Sequence, residues 1–308
     1  MAVQDFDITV VGHFAIDSIS LPNRPHPLVV LGGSAAYASL LTRRLNATAS
    51  VISKVGGDFP EAYMWWLQQE GIDISGVTKA KTGKTTRFEI KYNRDLTKRT
   101  LKLRNKAPPI KVKDLPKSLQ AKAIHIAPIA NEIAYNTAAH LKKCTGVLSL
   151  DAQGLLRRFD TLGNVKYRAA INKKLLSLIT IYKSSFDELR AATGHKEIRS
   201  AIKTIHDYGV ETVIVTLGVK GAVLSVCGTY YNIPPHKSDS VVDPTGAGDV
   251  FISGFLNEYI RQKESLWCAC VGSAAASLVV EGIGPTFFGE KEEIYRRAQA
   301  IYEKRIKQ

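Results

Sequence analysis

Short apolar runs ending in glycine or a carboxylate, alternating with stretches of helical periodicity, constrain this chain more than any other feature. "DITVVGHFAID", "ASVISKVG", "AIHIAP", "GVLSLDAQG", "LITIYKSS" and "ETVIVTLG" each read as a buried strand. Between them lie "GGSAAYASLLTRRLN", "PEAYMWWLQQEG", "EIAYNTAAHLKK" and "IRSAIKTIHDYG", whose apolar positions recur at helical spacing. This alternation predicts an α/β fold, a doubly wound and mainly parallel sheet flanked by helices, with ligands outside the strand C-termini. "GAVLSVCGTYYNIP" reads as a hairpin closing the series. The pattern breaks between Thr82 and Asn105, where "TTRFEIKYN" and "RTLKLRN" alternate apolar and charged residues around "RDLTK". That is a two-stranded ribbon with one wet face, expected to leave the body as a small β lid formed from about 12–30 and 82–108. With 308 residues and 45% hydrophobic content, residues 1–308 are expected to form one domain around a substantial core.

Several function classes are set aside on composition. Lys and Arg number 42 against 28 Asp and Glu, a formal charge of +14, which raises nucleic-acid binding as a reading. The basic residues are spread through the chain without interleaved aromatics, so a solvated basic surface is the reading adopted and no nucleic-acid partner is expected. No apolar run reaches the 18 residues of a membrane span, and the N-terminus reads as a first strand rather than a signal peptide. Cys144, Cys227, Cys268 and Cys270 lack a zinc spacing, which fits a reducing, cytoplasmic compartment.

The stretch "VVDPTGAGDVFISGF", Val241 to Phe255, carries the chemistry. Gly246 and Gly248 let the backbone turn and a ligand approach it, and the apolar helix that follows presents unpaired N–H groups at its start. The helix dipole favours negative charge there. Asp249 would repel a resting phosphate, but it fits a group that takes a proton while the amides hold a developing negative charge. Other strand ends gather further candidates. Asp17 follows the first strand and Gly32-Gly33 opens a helix; Asp151, Gln153 and Arg157 follow a central strand, and "VTLGVKG" precedes the hairpin. In a parallel sheet these ends share one edge.

The chain resembles the ribokinase-like (PfkB) kinases over essentially its whole length. Its "DPTGAGDVFISGF" and "LGGSAAYASLLTRRLNATASVISKVGGDFPE" match the two family signatures, and "EGIDISGV" and "VTLGVKG" are typical of the family. The resemblance implies transfer of the γ-phosphoryl group of ATP, with Mg²⁺, to a substrate hydroxyl. Asp249 would be the general base, and the N–H groups of Gly246, Ala247 and Gly248 the anion hole. Thr216, Gly218 and Gly221 match positions lining the nucleotide, and Ala274 and Ser277 lie on the helix expected beside the adenine. Where the family often has Asn-x-x-Glu, this chain has Ser185-Phe-Asp-Glu188. Glu188 would then reach the metal through water, Ser185 could instead cap a helix, and Lys183 could reach phosphate.

For the acceptor, Tyr37 stands where many relatives carry a hydroxyl-binding Asn. "DAQGLLR", "APPI" and "IAPIANEI" are similar to archaeal kinases of the myo-inositol type. Asp17, Gly32, Gly33, Gln153 and Arg157 would surround a polyhydroxylated sugar or cyclitol, with myo-inositol the specific expectation. A nucleoside is the alternative and would need a buried lid aromatic, Phe88 or Tyr92, to hold its base. A sugar-sensing protein without catalysis is the remote one. Pairing of lids between two subunits is the expected quaternary arrangement, a homodimer.

Overall fold

The structure, a computed structural model, describes residues 5–168, 171–238 and 240–306. The chain opens with β1 (Asp5–Val11), then β2 (Ala15–Ser20) and β3 (Leu28–Gly32), before α1 (Ser34–Arg44) and β4 (Ala49–Val55). After α2 (Glu61–Gln69) come β5 (Ile72–Lys79), β6 (Thr86–Tyr92) and β7 (Arg99–Asn105). The body resumes with β8 (Gln120–Ile126), α3 (Tyr135–Lys142), β9 (Val147–Asp151) and a single turn, α4 (Gln153–Leu156). Two three-residue strands follow, β10 (Arg157–Phe159) and β11 (Val165–Tyr167), then α5 (Lys173–Leu176), β12 (Ile181–Ser185), α6 (Phe186–Thr193) and α7 (Ile198–His206). The last third contains β13 (Thr212–Thr216), β14 (Ala222–Val226), β15 (Thr229–Ile233), α8 (Ala247–Tyr259), α9 (Ser265–Val279) and α10 (Lys291–Ile306).

Among the described residues the main sheet has nine strands in the order β15-β14-β13-β12-β9-β8-β1-β4-β5. All neighbours pair parallel except β13–β14 and β14–β15, the hairpin read from sequence. The chain winds outward from β1 in one direction through β4 and β5, then returns to β8 and proceeds in the other. That reversal opens a crevice at the strand C-termini beside β1. Successive residues of β1 face opposite layers, as the pleat requires: Val10 enters the core under α1, α8 and α9, and Val11 enters the core under α3 and α7.

The ribbon of β6 and β7 forms as expected, and β2 and β3 complete it into a four-stranded sheet of order β3-β2-β6-β7. Its outer face is charged, with Arg104–Glu89 paired across β6 and β7 and Arg87 reaching Asp58 on the body. Its inner face buries Ile19, Phe88, Ile90 and Tyr92 against Ile129 and Ala130. The β10–β11 hairpin, which the sequence pattern does not announce, joins its edge: Leu103 N–H donates to Gly163 O at 2.8 Å, and Phe159 packs on Phe88.

Three chain crossings between body and small sheet meet at one buried imidazole. His13 Nε2 lies 3.0 Å from Pro108 O, and Nδ1 lies 3.0 Å from Thr86 Oγ1, which also accepts from Ala107 N–H. A carbonyl can only accept, so Nε2 carries the proton and Nδ1 receives the Thr86 hydroxyl. Burial also pushes the His13 pKa down, which keeps the ring neutral. Beside it, the fully buried Glu132 accepts the N–H groups of His13, Ile129 and Ala130. Among the described residues no helix is long and apolar enough to cross a membrane, and Cys144, Cys227 and Cys268 are free thiols.

Candidate active site

The start of α8 is shaped by a residue that only glycine can be. Gly246 has φ of 83°, and a Cβ there would lie 2.2 Å from the ring of Tyr37, which is fully buried. The turn leaves the first N–H groups of α8 unpaired within the helix. Asp249 is the third residue of the helix and stands at the bottom of a cavity beneath the small sheet.

A chain of hydrogen bonds orients that carboxylate. Arg157 donates from Nη1 to Ile129 O at 3.0 Å and from Nη2 to Gln153 Oε1 at 2.6 Å. A guanidinium has no acceptor, so the Gln153 amide can face only one way. Its Nε2 therefore donates to Ser34 Oγ at 2.8 Å and to Asp249 Oδ1 at 3.1 Å. Burial raises the Asp249 pKa, Lys183 opposes the rise, and the Asp151 charge adds to it. Lys183 and Asp151 form a buried pair at 2.6 Å, 6% and 0% exposed at the side chain. The Lys183 ammonium lies directly under the Gly246–Gly248 turn, where a Cβ on Gly248 would come within 2.6 Å of Nζ.

The cavity has two unlike halves. Asp17, Ser34, Gln153, Arg157 and Asp249 make a polar floor, and Phe88, Ile90, Leu101 and Ile129 make an apolar wall. Asp17 is 4% exposed, its Oδ1 has no hydrogen-bond partner, and Gly32 leaves room for it, since a Cβ there would overlap Oδ2. Burial drives its pKa up to about 7, against the pull of Arg99 and with the push of Asp243. Gly33, at φ of 87°, caps α1 and lets the chain pass close to His13 O. Arg99 and Thr245 border the cavity, and Tyr92 OH lies 2.9 Å from Thr245 Oγ1. The space open to water centres is about 50 Å³, room for a few waters.

The donor-side candidates fall into two groups. Lys183, Ser185, Thr216, Gly218 and Gly221 follow one another along the ends of β12 and β13, with Ser185 and Thr216 side by side in register. Gly218 and Gly221 both have positive φ, and a Cβ on Gly221 would meet Ile233 O at 2.1 Å. Ser185 caps α6: its Oγ accepts from Glu188 N–H, and Glu188 Oε2 accepts from Ser185 N–H at 2.8 Å. Ala274 and Ser277 lie on α9, which packs beside β14 and β15. Ala274 is fully buried in the core, and the Ser277 hydroxyl bonds Ala274 O and takes Arg297 Nη1.

Sequence reasoning missed Arg99, Ser34, Thr245 and the apolar residues Ile90, Leu101 and Ile129. Ser34 was within reach, because it directly follows the paired glycines. The others line the cavity only because the small sheet folds across it.

Comparison with known proteins agrees with this geometry. The chain is 29% identical to the cytidine kinase of Thermococcus kodakarensis, over 90% of this chain and 97% of the relative. It is also 29% identical to a nucleoside kinase of Methanocaldococcus jannaschii, over 90% of this chain and 91% of the relative. Among solved structures, a pyrophosphate-dependent kinase of the ribokinase family, complexed with a pyrophosphate analog and myo-inositol, superposes with a TM-score of 0.81 at 22% identity, covering 94% of this chain and 99% of that one. The profile of the pfkB family carbohydrate kinases matches residues 5–292. The chain belongs to the pfkB carbohydrate kinase family and is a phosphotransferase of ribokinase fold.

Proposed function

We propose that this enzyme phosphorylates a hydroxyl of a nucleoside, with Mg·ATP as donor. The observation that carries the acceptor is the divided cavity, in which an apolar wall headed by Phe88 faces a floor of hydrogen-bonding groups. A cyclitol offers hydroxyls in every direction and would leave that wall without a partner. A nucleoside matches the chemistry of both halves, its base toward Phe88, Ile90, Leu101 and Ile129 and its ribose hydroxyls toward Asp17 and Gln153. Its entry requires the small sheet to lift, since the closed cavity holds only a few waters. The nucleoside kinases among the sequence relatives support the same choice. This takes up the alternative that needed a buried lid aromatic in place of the expected sugar or cyclitol, because Phe88 is 4% exposed and lines the cavity. The second reading, a cyclitol or sugar, is favoured by the linked Gln153 and Arg157 and by the inositol 3-kinases among the sequence relatives.

In the reaction Asp249 accepts the proton of the attacking hydroxyl. The new O–P bond forms as the bridging P–O bond to ADP breaks, and the leaving electron pair stays on ADP. The N–H groups at the start of α8 hold the negative charge on the moving phosphoryl group. Gln153 and Ser34 hold the Asp249 carboxylate in place, and Lys183 favours its charged form. Lys183, Ser185, Thr216, Gly218 and Gly221 line the donor side. For the metal, Glu188 Oε2 is engaged in the cap, while Oε1 takes no hydrogen bond among the described residues. That suits Mg²⁺ held through water with the phosphates, since the ion keeps most of its waters. When bound, Mg²⁺ neutralises phosphate charge.

The test is ADP release from Mg·ATP with cytidine, adenosine, ribose, fructose and myo-inositol, with inorganic pyrophosphate as a second donor. Asp249→Asn serves as the blank and should lose turnover by on the order of 10³-fold or more while still binding ATP. Turnover restricted to myo-inositol or a sugar would replace the nucleoside reading with the second one. Near-normal turnover in Asp249→Asn would remove that residue from the base role.

A further inference from the structure

Three cations surround the catalytic carboxylate, and two of them are already engaged. Arg157 is buried and bonded to Ile129 O and Gln153 Oε1, and Lys183 is paired with Asp151. The third is Arg99, the first residue of β7. It is exposed, and it borders the cavity that holds Asp249. Its one side-chain hydrogen bond among the described residues is a long contact from Nη1 to the Tyr92 hydroxyl, at 3.4 Å. It makes no salt bridge among them, although its charge is felt by Asp17, Asp249 and Glu188. Arg99 lines the cavity together with Asp17, Gly246 and Asp249, so a phosphoryl group delivered to an acceptor there would come within its reach. Its charge also opposes that of the Arg157 guanidinium.

Local geometry explains why Arg99 reaches this point. Tyr92 and Arg99 are cross-strand partners, the last pair of the β6–β7 ribbon before its tip. The Tyr92 hydroxyl is anchored to Thr245 Oγ1, inside the "DPTGAGD" turn that precedes Asp249. The end of the small sheet is thereby fastened to the catalytic turn, with the guanidinium beside the fastening.

We infer that Arg99 is a catalytic residue supplied by the small sheet, which donates hydrogen bonds to the non-bridging oxygens of the transferring phosphoryl group. Tyr92 is its positioning residue. A guanidinium fits this task because its planar fork meets two phosphate oxygens and stays charged throughout. No proton moves to or from it: the hydroxyl proton goes to Asp249, and Arg99 balances charge only. The inference rests on Asp249 acting as base and is independent of which acceptor is used. It also couples chemistry to coverage, because the guanidinium is in place only while the sheet lies across the cavity.

The experiment compares wild type, Arg99→Ala, Arg99→Lys and Tyr92→Phe in ADP release from Mg·ATP, with cytidine as acceptor and, separately, with water alone. Arg99→Ala should lose kcat by on the order of 10²- to 10³-fold, with KM for ATP within about threefold of wild type. Arg99→Lys should recover part of the loss, and Tyr92→Phe should fall between it and wild type. Added millimolar methylguanidinium should raise the rate of Arg99→Ala and leave wild type unchanged, a response that a purely structural defect would not give. A kcat for Arg99→Ala within about threefold of wild type with either acceptor overturns the inference. So does a change confined to KM for ATP. If wild type ignores cytidine while Arg99→Ala still slows transfer to water, the nucleoside reading fails and the role of Arg99 stands.

Discussion

Replacing Asp17 by Asn should make the ligand-free protein more stable and the enzyme worse, with the gain confined to neutral and alkaline pH. Asp17 is buried, with Oδ1 unpartnered, and its pKa is pushed from 3.8 to about 7. A carboxyl whose folded pKa is raised binds its proton more tightly in the folded state than in the unfolded one. Below about pH 4 it is protonated in both states and costs nothing. As pH rises from 4 to 7 the unfolded chain ionises first, so stability falls, and above 7 the whole cost is present. Three pKa units correspond to about 4 kcal/mol. Asn removes the charge but leaves one buried polar atom unpaired, which returns roughly 1–3 kcal/mol of that gain. The expected net stabilisation at pH 8 is therefore about 1–3 kcal/mol, turning into a net loss of about 1–3 kcal/mol near pH 4, where only the unpaired atom counts. Urea unfolding at 25 °C, run at pH 5 and pH 8 on both proteins, measures it. In parallel, kcat/KM for the acceptor should fall about 10- to 100-fold, because a hydroxyl loses its charged acceptor. Equal stability of the two proteins at pH 8, or a gain of the same size at both pH values, would refute the assignment of Asp17 as a carboxylate held charged for its ligand.

Two further substitutions test the rest of the site. Gln153→Ala releases Asp249 and Arg157 together, so acceptor KM should rise about tenfold or more while ATP KM changes little; an effect confined to ATP would move Gln153 out of the acceptor pocket. Lys183→Met leaves Asp151 buried and unpaired, and should cost about 3–5 kcal/mol of stability at neutral pH; a Tm close to that of wild type would show that water reaches the pair.

The strand–helix alternation and the catalytic turn were legible because both are local. A glycine at φ of 83° followed by an apolar helix is written in a few adjacent residues. The hairpin at Arg157–Tyr167 was not legible, since three-residue strands hold too little pattern to stand out. The apolar wall was hidden for another reason. Leu101 and Ile129 are ordinary alternating or loop hydrophobes until the small sheet is laid across the body. Helix α9 is hard to read for a third reason: it is apolar nearly all round, so periodicity cannot say which side meets the core. Ala274 proves to face inward, and Ser277 is held by Arg297 from α10.

The order in which the cavity's walls occur along the chain bears on its synthesis. All four strands of the small sheet are complete once residue 105 has been made, before β8 exists. Its inner face, with Ile19, Phe88, Ile90 and Tyr92, packs against Ile129, Ala130 and Phe159, which follow later. The floor is finished last, when the ribosome reaches Asp249. A nascent chain therefore carries an uncovered apolar sheet for some tens of residues, and β7 waits with an open edge until the β10–β11 hairpin arrives to pair with it. The same sheet that roofs the cavity in the finished enzyme is thus an apolar surface left uncovered while the enzyme is being made.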